Sequence, residues 1–257
     1  MKIDVLGVKI DDLTREQVVH RLKNLLVLPK PVFIVTPYSE SIVAAQRDAE
    51  FRNILNSADL SLPDGMGVVW AANFLGAKLP EKISGSDFVW DLAEIAADYN
   101  FSIYLLGGYG DTPKLAAAKL KSKFPNLKIA GTSNAPGLSF PRRRESIPLD
   151  AGSKSGMTDI INEIDNSRAD FLLVALGPVR QEKWIAENLP DLRVKLAIGL
   201  GGTFDYLAGK RPPAPRILRV TGLEWLWRLL TQPWRVIRIF KGVLGLIYYS
   251  TRYIMKS

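Results

Sequence analysis

The sequence predicts an α/β fold in which a mostly parallel sheet carries helices on both faces. Along the 257 residues, short apolar runs alternate with longer amphipathic stretches, and glycine-containing turns stand where one gives way to the other. Strand-then-helix alternation of this kind is typical of a parallel sheet with helical crossovers. A chain of this length can bury the core of one large domain and still carry a smaller appendage.

The elements follow in order from the N-terminus. Residues 1–8 predict a strand, since this segment is too short and too charged for a signal peptide. Thr14 and Gln17 have the spacing of a capping box and predict the start of a helix. Further strands are predicted at 32–35, 59–62, 103–106, 127–130, 171–176 and 194–198, and helices at 40–56, 87–99, 112–124, 158–167 and 180–188.

One segment, 133–157, interrupts the alternation. It contains Pro136, Pro141 and Pro148 with three glycines and five serines, and it shows no periodicity. Such a stretch is long for a loop of a compact α/β domain, so we predict a flexible insertion. The alternative is a functional lid, in which the basic run 142–144 reaches an anionic substrate.

The charge is concentrated at the C-terminus. The chain has a net charge of +8, yet residues 210–257 hold ten basic residues, a single acid and three of the six tryptophans. Interleaved cations, indole rings and aliphatic side chains are typical of a helix in a membrane interface, where each cation near an anionic leaflet gains about 1 kcal/mol. We therefore predict a 1–209 α/β domain followed by a 210–257 membrane-associating appendage.

Other partners for the tail compete with the membrane. A homo-oligomer could bury the aromatic residues, whereas nucleic acid is disfavoured because phosphate binding does not explain the aliphatic content. The uncharged tract 242–251 has about half the length that spanning a bilayer requires. The expected location is cytoplasmic, at the inner face of the cell membrane.

Composition also limits the chemistry. The chain has no cysteine, which excludes disulfides, thiolate nucleophiles and cysteine metal sites. Its single histidine, His20, falls on the predicted first helix, and we interpret it as a surface or packing residue. A general base is therefore expected to be a carboxylate, and neither a metal nor another cofactor is predicted.

Four glycine-containing turns follow predicted strands, at Asp64-Gly65, Gly107-Gly108, Gly177 and Gly201-Gly202. The carboxyl ends of parallel strands face the ligand crevice of an open α/β sheet. Peptide N–H groups at the helix starts beyond such turns favour phosphate oxygens. Each turn alone is also an ordinary strand-to-helix connection, but together they predict a nucleotide or sugar-nucleotide site.

The motifs occur in a recognisable order. They are Thr36-Pro37 with Glu40, 62–65, 85–87, 105–108, 175–177 with 181–184, 201–205 with Gly209-Lys210, and Arg211 with Ala214-Pro215 and 222–225. From about residue 33 to 232 this pattern resembles the WecG/TagA/CpsF family of bacterial glycosyltransferases, glycosyltransferase family 26. The resemblance implies a Rossmann-like domain with a membrane-associating appendage. It also implies transfer of N-acetylmannosamine, or a related sugar, from a UDP donor to a polyprenyl-diphosphate-linked sugar in cell-surface polysaccharide synthesis.

The resemblance assigns roles to matching positions. Asp64 matches a general base that deprotonates the acceptor hydroxyl in an inverting displacement, and Thr36 matches a threonine that orients the substrate. Arginines that meet the diphosphate of the lipid are expected at Arg211, Arg216 and Arg219. Donor and substrate contacts are expected at Tyr38, Gly65, Gly107, Gly108, Gly177, Gln181, Gly201, Gly202 and Asp205, with Asp205 placed for ribose or sugar hydroxyls.

The chain departs from the family pattern in three places. One change is mild: Val179 stands where many members have a proline that starts a helix. Tyr38 stands where members usually have Asn, so an amide beside the expected active site is lost, and the insertion 133–157 replaces a normally short segment. Tyr38 and the insertion favour an alternative hypothesis, a degenerate member that binds a nucleotide sugar without catalysis.

Overall fold

The computed structural model describes residues 1–134, 154–212 and 236–255, together with residues 215, 218 and 227. By compactness the chain divides into two units. The first consists of Met1–Leu22, Val35–Ser84 and Pro212–Ser257, and the second of Lys23–Ile34 and Gly85–Arg211. The predicted division into 1–209 and 210–257 stays a prediction, and most of the predicted insertion lies outside the described residues.

Eight strands form two sheets in the described part of the chain. The strands are β1 Lys2–Val5, β2 Val8–Asp11, β3 Val32–Val35, β4 Leu60–Ser61, β5 Ser102–Gly107, β6 Lys128–Ser133, β7 Phe171–Ala175 and β8 Leu196–Gly199. Six of them make one parallel sheet in the order β4-β3-β8-β7-β5-β6. This sheet confirms the predicted α/β fold and fits a Rossmann-like architecture.

The core of the second unit surrounds the central strands of that sheet. Strand β7 pairs with β5 from Ile103 opposite Phe171 and with β8 from Phe171 opposite Leu196. The side chains of β8 and nearly all of those of β7 are buried. Continuous apolar strands of this kind belong to a parallel sheet that is covered on both faces.

Ten helices are described. They are α1 Arg15–Leu25, α2 Ser39–Ala45, α3 Ala49–Ser57, α4 Met66–Phe74, α5 Gly85–Asp98, α6 Thr112–Lys123, α7 Lys154–Ser167, α8 Arg180–Asn188, α9 Thr203–Leu207 and α10 Val236–Ile254. In the second unit, α5 and α6 pack on β5, and α8 packs on β7 and β8. The predicted capping box of α1 is confirmed, since the N–H of Thr14 donates to Gln17 and the N–H of Gln17 to the Thr14 hydroxyl.

The N-terminal strand prediction was incomplete. Strands β1 and β2 form an antiparallel hairpin, with Val5 opposite Val8. The turn residues Leu6 and Gly7 both have positive φ, 55° and 82°. A two-residue turn of this type requires positive φ at both positions, and Leu6 gives no sequence signal for it.

The helix predicted at 40–56 is broken into α2 and α3. Asp48 ends the continuity, because its carboxylate accepts the N–H of Phe51 at 2.9 Å and caps α3. The side chain of Gln46 donates to the carbonyl of Leu6 at 2.7 Å and so fixes the connection to the hairpin. An Asp that caps a new helix start competes with a continuous helix, which explains the break.

The C-terminal helix α10 packs on α2 and α4 within the first unit. A Cβ on Gly242 would lie 2.8 Å from Cγ of Glu40, and one on Gly245 would lie 3.0 Å from both Cγ atoms of Val43. Glycine therefore permits the close approach of α10 to α2. Among the residues that the structure describes, no helix has both the length and the apolar character that crossing a membrane demands.

Candidate functional site

The first group of candidate residues lies in the first unit, just beyond β3 and β4. The N–H of Leu62 donates to the carbonyl of Val35 at 2.9 Å. Two residues further on, the N–H of Asp64 donates to the carbonyl of Pro37 at 3.0 Å. These bonds hold the segment that contains Thr36 against the segment that contains Asp64, so the two predicted catalytic residues lie on adjoining backbone.

Asp64 is held at a turn that only an unusual backbone conformation can make. Gly65, which follows it, has φ of 95° and serves as the N-cap of α4. The side chain of Asp64 is half-buried, whereas Thr36 is only 8% exposed. A half-buried carboxylate at the start of a helix remains open to a ligand from solvent, whereas Thr36 is enclosed by the protein.

Tyr38 begins α2. Its backbone is extended, with φ of −126° and ψ of 177°, and its side chain makes no capping hydrogen bond to the helix. A Cβ on Gly67 would overlap the hydroxyl of Ser39, so the first turns of α2 and α4 approach closely. Tyr38 thus lies where both helices start, beside the Thr36 and Asp64 segments.

The second group lies in the second unit and includes the turn after β5. Gly107, Gly108 and Gly110 all have positive φ, of 99°, 83° and 55°. A Cβ on Gly107 would lie only 2.6 Å from the carbonyl oxygen of Ala175 at the end of β7. No larger residue fits there, and the turn leads directly into the 12-residue helix α6.

Lys210 ties this turn to the segment after α9. Its ammonium donates to the hydroxyl of Thr112 at 2.9 Å and forms an ion pair with Asp111. The hydrogen bond from Lys210 lowers the pKa of Asp111. Lys210 was not among the predicted site residues, although the Gly209-Lys210 pair belonged to the family pattern.

The turn after β7 combines two residues with positive φ. Gly177 has φ of 89°, and Val179, the N-cap of α8, has φ of 69°. Positive φ in a β-branched residue is strained. Proline could not adopt the conformation of Val179 at the start of α8, because its ring fixes φ at a negative value. The strain lies two residues before Gln181, a predicted donor contact.

Gln181 is more enclosed than the prediction implied. It is 4% exposed, its Nε2 donates to Oε1 of Glu182 at 2.8 Å, and its Oε1 accepts the N–H of Gly201 at 3.0 Å. A Cβ on Gly199 would lie 2.6 Å from the same Nε2. Gln181 therefore contacts and holds the turn between β8 and α9 from within the protein. Its role as a donor contact stays a prediction.

Glu182 was missed by sequence reasoning. It is buried, which raises the pKa of its carboxyl to about 7, although hydrogen bonds from Gln181 and the local backbone oppose the shift. Its Oε2 has no hydrogen-bond partner. An unpaired buried carboxyl oxygen is costly and calls for an explanation. In the sequence, the feature that could have pointed to Glu182 is its position directly after Gln181, beyond the glycine turn.

Asp205 and Arg211 form a pair. Their side chains meet at 3.0 Å and both are mostly buried, at 22% and 18% exposed. The peptide N–H groups of Lys210 and Arg211 donate to the carbonyl of Asp205 at 3.0 and 3.2 Å. Asp205 was predicted to face sugar hydroxyls, and the structure gives it an additional role in holding Arg211. Arg216 and Arg219 lie outside the described residues.

Helix α10 presents an apolar surface to solvent. Leu244, Ile247 and Tyr248 are each more than half exposed, and Ile254 and Met255 continue the same outer surface. On the inner side, Leu246 is buried and Tyr249 accepts a hydrogen bond from Arg47 at 3.3 Å. An amphipathic helix whose apolar face is turned outward has an unusual orientation for a monomer in water.

Comparison with known proteins gives one family across the chain. Residues 3–257 match the family model described as the glycosyl transferase WecG/TagA/CpsF family. The chain is 32% identical to an N-acetylglucosaminyldiphosphoundecaprenol N-acetyl-beta-D-mannosaminyltransferase of Bacillus subtilis (strain 168), covering 79% of this chain and 72% of that protein. It is 27% identical to the protein of the same name in Staphylococcus aureus (strain MRSA252), covering 94% of this chain and 89% of that protein.

Proposed function

The chain belongs to the WecG/TagA/CpsF family of glycosyltransferases, and from this we propose that it transfers N-acetylmannosamine, or a related sugar, from a UDP donor to a polyprenyl-diphosphate-linked sugar. The observation that carries the proposal is the family match across the chain, with Asp64 beside Thr36 at the ends of β4 and β3. The names of the relatives in Bacillus subtilis and Staphylococcus aureus support the mannosaminyl group and the diphosphoundecaprenol acceptor.

In the proposed reaction Asp64 is the general base. Its carboxylate takes the proton of the acceptor hydroxyl while the hydroxyl oxygen attacks the anomeric carbon of the donor. The bond from that carbon to the UDP oxygen breaks, and UDP leaves with the electron pair, which inverts the anomeric configuration. Thr36, held next to Asp64, orients the substrate.

The second unit supplies the proposed donor site. Gly107, Gly108, Gly177, Gly201 and Gly202 lie in or beside turns where a ligand can approach the backbone closely. The N–H groups of Gly108 and Gly201 donate to the Ala175 carbonyl and to Gln181, so these two glycines shape the turns. Arg211, held by Asp205, offers a cation for a diphosphate. Arg216 and Arg219, which belong to the first unit, keep the role that the resemblance implies for them, a contact with the diphosphate of the lipid. Backbone dipoles and arginines can offset the charge of the leaving group, so the proposal includes no metal.

The proposed location is the inner face of the cell membrane. The outward face of α10 supplies Leu244, Ile247 and Tyr248 for the lipid interface, and the basic residues of 210–257 supply attraction to anionic lipid. A lipid-linked acceptor would be delivered at that surface. A homo-oligomer that buries part of the same face stays a prediction.

The reaction is tested with UDP-N-acetylmannosamine and a short-chain lipid-diphosphate-N-acetylglucosamine. We expect UDP release with formation of a disaccharide, and a loss of kcat of about 10²- to 10⁴-fold in Asp64→Asn, since a general base contributes that much. Asp98→Asn, an exposed carboxylate at the end of α5, is the matched control and should keep full activity. Wild-type turnover in Asp64→Asn would refute Asp64 as the base.

A further inference from the structure

Glu182 is a buried acid that the proposed reaction does not use. It lies on α8 next to Gln181, is 4% exposed, and makes a 2.8 Å hydrogen bond through Oε1 to the Gln181 amide. Its other oxygen has no partner. Hydrogen bonds from the backbone of Val179 and of Glu182 itself also reach the carboxyl. The contact through which the carboxyl orients a neighbouring side chain is the one with Gln181.

The contact fixes which way the Gln181 amide points. An amide can rotate by 180° and exchange its donor and acceptor ends. Because Nε2 donates to Glu182, Oε1 is left to face the N–H of Gly201, which it accepts at 3.0 Å. The reversed amide would aim a donor at that N–H. Gly199 closes the remaining space, since even a Cβ there would lie 2.6 Å from Nε2.

We infer that Glu182 is a positioning residue: its carboxyl orients the Gln181 amide and thereby holds the turn between β8 and α9 in one conformation. The turn contains Gly201, with φ of 50°, and Gly202, the N-cap of α9. Both glycines belong to the proposed donor site, so what the inference implies for donor binding rests on the proposed function. Its consequence is a donor turn that is preorganised before the nucleotide arrives.

Three substitutions at position 182 separate orientation from mere packing. Glu182→Gln keeps an acceptor for Nε2 of Gln181, Glu182→Met keeps the length but offers only a weak sulfur acceptor, and Glu182→Asp withdraws the carboxyl by one methylene. Glu187→Met, at an exposed position on the same helix, is the matched control. If Glu182→Met does not fold, Glu182→Asp makes the same test with the acid retained.

The first measurement is hydrogen exchange of the Gly201 amide by NMR, which needs neither nucleotide nor activity. We expect exchange at Gly201 to accelerate about tenfold or more in Glu182→Met and Glu182→Asp, and to stay near the wild-type rate in Glu182→Gln and Glu187→Met. Unchanged protection of Gly201 in Glu182→Met and Glu182→Asp, or equal loss in Glu182→Gln, would overturn the inference.

The second measurement is the affinity for UDP and the steady-state kinetics. Glu182→Met and Glu182→Asp, which release the Gln181 amide, should bind UDP about tenfold more weakly and raise KM for the donor while kcat changes less. Glu182→Gln should keep the UDP affinity and the KM near their wild-type values. A wild-type protein that neither binds UDP nor transfers sugar would refute the proposed function. The exchange of Gly201 would still decide the role of Glu182.

Discussion

Among single residues, the glycines after the strands serve two different physical needs. Gly107 combines a positive φ with a steric limit, because a Cβ would approach the carbonyl oxygen of Ala175 to 2.6 Å. Gly110 has a positive φ of 55° but nothing within 4 Å of a Cβ. The two glycines belong to one turn and therefore form a natural pair for comparison.

Gly107→Ala should destabilise the protein by about 2–4 kcal/mol, since backbone strain adds to overpacking. Gly110→Ala should cost only about 1 kcal/mol, the penalty for a left-handed conformation alone. Urea unfolding of both variants measures the difference. Equal losses in the two variants would show that the close approach of Gly107 to β7 is not rigid.

The buried acid predicts a pH dependence of stability. Burial raises the pKa of Glu182 to about 7, well above that of an exposed Glu. Between about pH 4.5 and 7 the folded chain thus keeps a proton that the unfolded chain releases, so the free energy of unfolding falls as pH rises and then levels off. Relative to Glu182→Gln, which does not titrate, the wild type should lose a few kcal/mol across this window.

Chemical denaturation of wild type and Glu182→Gln at pH 5, 6, 7 and 8 checks this prediction. Other titrating groups affect both proteins alike, so only the difference between the two curves carries the contribution of Glu182. Parallel curves would mean that water reaches the carboxyl and that its pKa is close to that of an exposed Glu.

At the scale of elements, α10 has two faces with different tasks. Its inner face packs through Gly242, Gly245 and Leu246, and its outer face exposes Leu244 and Ile247. Deleting the helix would uncover α2 and confuse the loss of lipid contact with the loss of stability. Substitutions on the outer face avoid that problem.

Leu244→Glu combined with Ile247→Glu should abolish binding to anionic liposomes while the unfolding midpoint changes little. Two carboxylates on the outer face oppose both apolar insertion and attraction to anionic lipid. Leu115→Glu, an exposed leucine on α6, is the control and should bind as the wild type does. Liposome flotation measures binding, and retention of the double variant would refute α10 as the contact.

Elements are also where sequence reasoning worked best. Strand β3 and helix α8 have the predicted bounds, because a buried apolar run and a glycine turn mark them clearly. The sequence does not predict the hairpin turn at Leu6 or the break between helices at Asp48. A positive φ in leucine depends on tertiary contacts, and so does the capping of a new helix by Asp48.

At the scale of the whole molecule, the candidate site was predictable only in part. Thr36 and Asp64 could be placed because both follow strands of a parallel sheet. The pairing of Asp205 with Arg211 could not, because it depends on the exact turn that follows α9. The burial of Glu182 could not either, because it depends on how α8 packs. The assignment of roles came from family resemblance, which the family match confirms for the chain but not for each residue.

The distribution of charge over the chain gives a further prediction. The net charge of +8 arises in the segment 210–257, which has ten basic residues and one acid. Binding to liposomes should therefore require anionic lipid and should weaken by about tenfold or more between 0.1 and 0.5 M salt, as the Debye length shortens. Equal binding to neutral liposomes at both salt concentrations would mean that apolar insertion alone retains the protein.

The glycine contact between α10 and α2 sets the distance between these two helices. Gly242 lies against Glu40, two residues after Tyr38. The helix proposed to touch lipid is therefore separated from the start of α2 by a single helix-to-helix spacing of about 8–10 Å. If α10 rests on the bilayer as proposed, the fold fixes the height of the Thr36–Asp64 edge above the lipid. An acceptor would then be selected by how far its sugar stands from the membrane, as well as by its chemistry.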